Sequence, residues 1–175
     1  MFKKTMTAVG LVLLVATPAM AVEGPFPVRD IEGTATFESD MNPNALQFYP
    51  DVAKDVEAAA REASPRAADD ASRPLDVKIN ITALRLNDNP VLTDDGNFNV
   101  MEGVVTVYDA MRPEAGPIKT DSVLVSAEQM QTAMPSFSPD NRDYYNAMVA
   151  AFADRAVKIA GDVTTLPDIP NVTKN

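Results

Sequence analysis

Alternation of apolar and polar residues dominates the middle of the chain. Val77, Ile79 and Ile81 alternate with Lys78, Asn80 and Thr82, which predicts a strand over 75–86 with one buried face. Leu84 and Leu86 fall on the opposite phase, so a bulge near Ala83 or Leu84 is needed to return them to the core side. Residues 98–109 and 118–126 read as two further strands joined by the turn segment MRPEAGP, and residues 87–97, rich in Asn, Asp, Pro and Gly, as a long hairpin loop. Upstream, 28–38 alternates Ile31, Ala35 and Phe37 against Glu32, Thr34, Thr36 and Glu38, a half-buried strand followed by a turn at 40–43.

Two segments carry helical spacing instead. Over 50–63, Val52, Val56, Ala59, Ala60 and Ala63 lie on one face, Pro50 suits a first helical position, and Glu57 and Arg61 are spaced as an i,i+4 ion pair. Near the carboxyl end, Tyr144, Tyr145, Met148, Val149, Phe152, Ala156, Ile159 and Ala160 form one stripe. Ser138 is the expected N-cap there, Pro139 the first helical residue and Gly161 the stop, giving a helix of about 33 Å at the standard rise. The polar segment 64–74 reads as a flexible connection and 164–175 as a flexible tail. The order strand, helix, three strands, helix predicts an α+β two-layer sandwich: a mainly antiparallel sheet of about four strands with both helices on one face.

The amino terminus changes the setting of this domain. Lys3 and Lys4 precede an apolar run over 9–16, and Ala19-Met20-Ala21 fits an A-x-A cleavage site, so residues 1–21 read as a signal peptide and Val22 as the mature start. The expected location is the periplasm, or the medium if the chain is secreted. The run is too short to span a bilayer, so no stable membrane anchor is expected after cleavage. Residues 22–163 are then a single domain. Removing two lysines and no acid takes the formal net charge from −10 to −12, and such a surface repels phosphates and so argues against nucleic acid.

Composition narrows the chemistry further. The chain has no cysteine, so no disulfide supports the fold, and no histidine, which removes the commonest general base, the Ser-His and Cys-His pairs and the usual zinc ligands. No phosphate-binding glycine motif occurs among its seven glycines. No cofactor and no enzymatic activity are expected. The run Asp94-Asp95-Gly96-Asn97 raises the question of a cation, but its spacing misses an EF-hand loop and turn chemistry explains it. Glu102, Asp109 and Asp121 could serve as an acid and base for glycoside cleavage only if two of them converged; surface charge on a sheet is the simpler account.

The segments RPLDVKINITALRLND, FNVMEGVVTVYDA and PIKTDSVLVSAE resemble uncharacterised exported proteins and lipoproteins of alphaproteobacteria. These are similar to small envelope domains such as the TolB amino-terminal domain and lipopolysaccharide-assembly-type lipoproteins. The resemblance implies an adaptor or assembly role. The chain departs from the lipoproteins in lacking a lipobox cysteine.

The strand over 98–109 points to a candidate site. Met101, Val105 and Val107 share one phase, while Val100, Val104 and Tyr108 share the other with Glu102 and Thr106, so both faces carry apolar groups. If helices cover the first set, the second lies on the open face as a patch for a partner, with Val100, Val104, Thr106 and Tyr108 as its candidate residues. The expected function is a non-enzymatic binding or assembly module for another cell-envelope component, an envelope protein in particular. A small apolar-ligand or lipid carrier is the alternative, and a homodimer is a further way to bury the second face.

Overall fold

In the computed structural model, the described residues are 22–23, 26–37, 44–65, 73–130 and 142–166. The expected signal peptide, the cap at Ser138 and Pro139, most of the polar connection and residues 167–175 lie outside them. In chain order the elements are β1 (Val22–Glu23), β2 (Val28–Ala35), α1 (Ala45–Phe48), α2 (Val52–Ala63), β3 (Leu75–Arg85), β4 (Val100–Asp109), β5 (Pro117–Ser126), α3 (Arg142–Gly161) and β6 (Thr165–Leu166).

The main sheet runs β2-β3-β4-β5. Two of its pairings are antiparallel, and the third, β2 with β3, is parallel. That exception follows from the connection: a segment containing a helix can return the chain to run alongside its starting strand, whereas a tight hairpin must reverse it. The α+β sandwich is therefore present, with a mainly antiparallel sheet.

The two long helices, α2 and α3, pack on one face of the sheet. Val52, Val56 and Ala60 of α2 and Met148, Phe152, Ala156 and Ala160 of α3 are buried together with Ile31, Val77, Ile79, Ile81, Met101, Val105, Val107, Val123 and Val125 from the strands. Two glycines let the layers approach closely. A Cβ on Gly33 would stand 2.4 Å from the Ala53 carbonyl oxygen, and one on Gly103 would stand 2.8 Å from the Phe152 ring. Phe152 therefore seats on the bare backbone of the central strand pair.

The bulge occurs as the parity change requires. Ile81 opposes Gly103 and Ala83 opposes Glu102, so Thr82 is the extra residue and Leu84 returns to the core, fully buried opposite Met101. The Glu57–Arg61 pair also forms, at 3.1 Å. Those two side chains do more than face each other. The Gly33 N–H donates to Glu57 at 2.9 Å and the Arg61 guanidinium donates to the Ile31 carbonyl, so α2 covers the outer edge of β2.

Several boundaries differ from expectation. Pro50 precedes the N-cap Asp51 of α2 because it belongs to the turn from α1, where the Val52 N–H reaches the Tyr49 carbonyl. The one-turn α1 was not expected, since four residues display no period. Gly161 ends α3 without the left-handed conformation of a glycine stop; the Asp162 and Val163 N–H groups close the helix end on Lys158 and Ala160. Residues 165 and 166, placed in the tail by sequence, pair with β1, and Leu166 is fully buried in the core cluster.

Candidate functional site

The four candidate residues of β4 lie on one side of one strand. Val100, Val104, Thr106 and Tyr108 alternate with buried neighbours and are each half-buried, on the face opposite both helices. Their cross-strand partners define the surroundings. Val104 stands between Asn80 and Ser122, Thr106 between Lys78 and Thr120, and Val100 between Arg85 and Ser126. Leu124, 41% exposed, lies opposite Glu102 on the same face. Polar side chains thus separate the apolar ones, and the face is mixed rather than one continuous apolar patch. Its rim is charged: Lys78 pairs with Glu32 at 3.1 Å and lies 5.9 Å from the Tyr108 ring centre, and Arg85 pairs with Glu102. The Glu32 hydrogen bond holds the Lys78 ammonium above its ordinary range.

The three carboxylates considered for hydrolysis do not converge. Glu102 faces the open side, bound to Arg85, whereas Asp121 lies opposite buried Val105 on the helix side and pairs with Lys119 at 3.5 Å. Asp109 is buried against Arg73 and also accepts from the Met111 N–H at 3.0 Å and from Arg112 at 3.4 Å. Burial pushes the Asp109 carboxyl up, but the hydrogen bonds from Arg73, Met111 and Arg112 and the Arg73 charge outweigh it and hold the group below the usual carboxylate range. Each of the three is committed to an ion pair, on two different faces.

The loop over 87–97 is packed rather than open. The Asn44 side chain both donates to the Leu92 carbonyl, at 2.7 Å, and accepts from the Leu92 N–H, at 3.1 Å, and so pins the loop to α1. Gly96, at φ +65°, closes a turn onto the Thr93 carbonyl, while Asp94 and Asp95 point to solvent. Among the described residues no three acidic, histidine or cysteine side chains cluster to hold a metal ion.

An aromatic group fills the same end of the molecule, and the sequence pattern did not single it out as a unit. Tyr49 and Tyr145 stack with centres 5.2 Å apart and an 11° angle, and Phe98 meets Tyr49 edge-on at 5.0 Å. The Tyr49 hydroxyl donates to the Gly96 carbonyl at 2.8 Å, and burial raises its pKa to about 12. The Tyr145 hydroxyl donates to Asp55 at 2.6 Å; burial first, then this carboxylate, holds it protonated well above its ordinary value.

Fold and surfaces together define an α+β sheet protein in which, among the described residues, helices cover one face of the sheet and not the other. No family model matches the chain, and neither does any curated protein. Among solved structures it is similar to the PelC dodecamer from Paraburkholderia phytofirmans, with 11% identity and a TM-score of 0.44 over 81% of this chain and 96% of that one. It is also similar to a minor lipoprotein from Acinetobacter baumannii, with 8% identity and a TM-score of 0.34 over 83% of this chain and 100% of that one. Likenesses at this level carry no argument about function. Among the described residues no helix is long and apolar enough to cross a membrane.

Proposed function

We propose that the chain is an exported, non-enzymatic binding module that docks a protein of the cell envelope on the open face of its sheet. The observation that supports this most directly is the outward half of β4, where Val100, Val104, Thr106 and Tyr108 stay half-buried beside exposed Leu124 while, among the described residues, the helices occupy the other face. A mixed face with charged edges suits a non-obligate protein contact better than a permanent apolar one. The formal net charge, −10 for the whole chain and −12 once residues 1–21 with their two lysines are removed, favours a basic partner. The carrier alternative requires room between the sheet and α3, and at Gly103 the Phe152 ring fills that space.

A photo-crosslinker at Val104 tests the reading in living cells, with one at exposed Ala58 of α2 as the control. The expected result is a defined envelope protein captured from position 104 and not from 58, on a chain whose amino terminus is Val22. Val104→Asp should abolish that capture while the chain stays folded. Identical products from both positions, or a chain retained in the cytoplasm with Met1 intact, would overturn the proposal.

A further inference from the structure

At the end of the molecule away from the open face of β4, the start of α2 and the start of α3 enclose a cleft of about 390 Å³, lined among others by Phe48, Tyr49, Asp51, Asp55, Arg142 and Tyr145. That is the lower part of the size range of small-ligand sites, about 300 to 1,000 Å³, and suits a ligand of headgroup or amino-acid size. The walls are fixed in place. Tyr49 is anchored on Gly96, Tyr145 on Asp55, and the two rings hold each other by stacking.

The charges that share this cleft are of opposite sign. Asp51 is engaged by Lys54 at 3.0 Å, but both side chains of that pair are mostly exposed, and such a pair is weak and easily exchanged. Asp55 accepts the Tyr145 hydroxyl and keeps further lone pairs to offer. Arg142 makes no ion pair with either carboxylate among the described residues, although all three line the same concavity. Carboxylates beside aromatic rings recognise an ammonium group, and a guanidinium recognises phosphate or carboxylate.

The geometry points to a binding site for a small zwitterion, its ammonium group held by Asp51 and Asp55 beside the tyrosine rings and its anionic group held by Arg142. A lone cation would satisfy only one side of the cleft, and a lone anion would meet two aspartates. The ligand class covers both a phospholipid headgroup and a free solute, which share the ammonium and the anion.

The test uses the chain's own fluorescence. It has no tryptophan, and Tyr49, Tyr144 and Tyr145 are three of its four tyrosines, so their emission reports on this end of the molecule. Phosphoethanolamine should change the emission saturably, while ethanolamine and inorganic phosphate, each carrying one sign of charge, should bind at least about tenfold more weakly. Asp51→Asn and Arg142→Gln should each weaken phosphoethanolamine binding at least about tenfold without shifting the thermal melt, and Tyr108→Phe on the open face should leave it unchanged. Co-sedimentation with phosphatidylethanolamine vesicles, competed by soluble phosphoethanolamine, identifies a lipid headgroup; saturable soluble binding without co-sedimentation identifies a free solute. Ethanolamine binding as tightly as phosphoethanolamine, an Arg142→Gln chain that binds normally, or no saturation by either phosphoethanolamine or phosphocholine would each overturn the assignment.

Discussion

Val104 and Val105 are the same residue type in adjacent positions of β4, yet they belong to different environments. Val105 is fully buried between Ile79 and the helix layer, whereas Val104 stands half-buried between Asn80 and Ser122 on the open face. A strand sends successive side chains to opposite faces, so one step along the backbone exchanges a core for a surface. The lesson is that hydrophobicity at a β4 position says little about its role until its phase is known. Covered positions carry the stability, and uncovered ones are free to carry recognition.

The sharpest way to break this comparison is to place the same charge at both positions. Val105→Asp should prevent the chain from folding, because at this fully buried position beside Ile79 the new carboxylate loses its water and faces the carboxylate of Asp121 on the next strand, so that keeping its charge or taking up a proton is costly on the scale of an ordinary domain's stability. Loss of the cooperative transition in circular dichroism is the expected readout. A chain that still melts cooperatively would show that the two faces are not distinct.

Next in size is Phe152→Ala, with an expected loss of about 3 to 5 kcal/mol in urea unfolding. Phe152 is fully buried, and its ring occupies the space left by the missing side chain of Gly103, so truncation opens a cavity that the rigid sheet backbone closes poorly. A change under about 1 kcal/mol would mean that α3 is peripheral and that the sheet does not depend on its covered face.

Asp109 tests the covered face electrostatically. Its carboxyl titrates lower in the folded chain than in the unfolded one, so its contribution is fully present above the unfolded value near pH 4 and is lost as pH falls through the folded value. Asp109→Asn should cost about 3 kcal/mol at neutral pH, since it removes the negative charge from a buried ion pair with Arg73. It should also flatten the fall in stability below pH 4. A variant with the parent's full acid sensitivity would place that sensitivity elsewhere.

How much of this was legible in the sequence depends on the range of the interaction. Strand β4 and its two faces, the bulge after Ile81 and the stripe of α3 follow from local periodicity, which a sequence displays directly. The stripe omitted Ala153, buried at 1%, because it follows Phe152 directly and so stands about 100° further round the helix, at the margin of the stripe. What the sequence withheld depends on distant partners. Asn44 meets Leu92 across 48 positions, β1 meets β6 from opposite ends of the domain, and Tyr145 meets Asp55 across 90 positions. The helical spacing of Tyr144, Tyr145, Met148 and Phe152 favours a core stripe over a ligand groove, yet Tyr145 turns to the edge of the cleft. A second local signal for that cleft is a pair of aspartates, Asp51 and Asp55, one turn apart directly after an aromatic pair and a proline, a placement in which like charges repel and the helix amino terminus only partly offsets them.

The smallest effect expected is that of Val104→Asp on stability, and it sharpens the comparison more than the larger losses do. At this position the carboxylate has water on the open face and the polar neighbours Asn80 and Ser122 on either side, so no buried charge is created. What remains is the poorer fit of aspartate to a pleated strand, a cost of about 1 kcal/mol. Urea unfolding of Val104→Asp beside Val105→Asp reads the difference between the faces from one substitution at two neighbouring residues. If Val104→Asp instead costs several kcal/mol, the face is covered by some part of the molecule or a second copy of it, and the docking surface assigned to Val100, Val104, Thr106 and Tyr108 is lost with it.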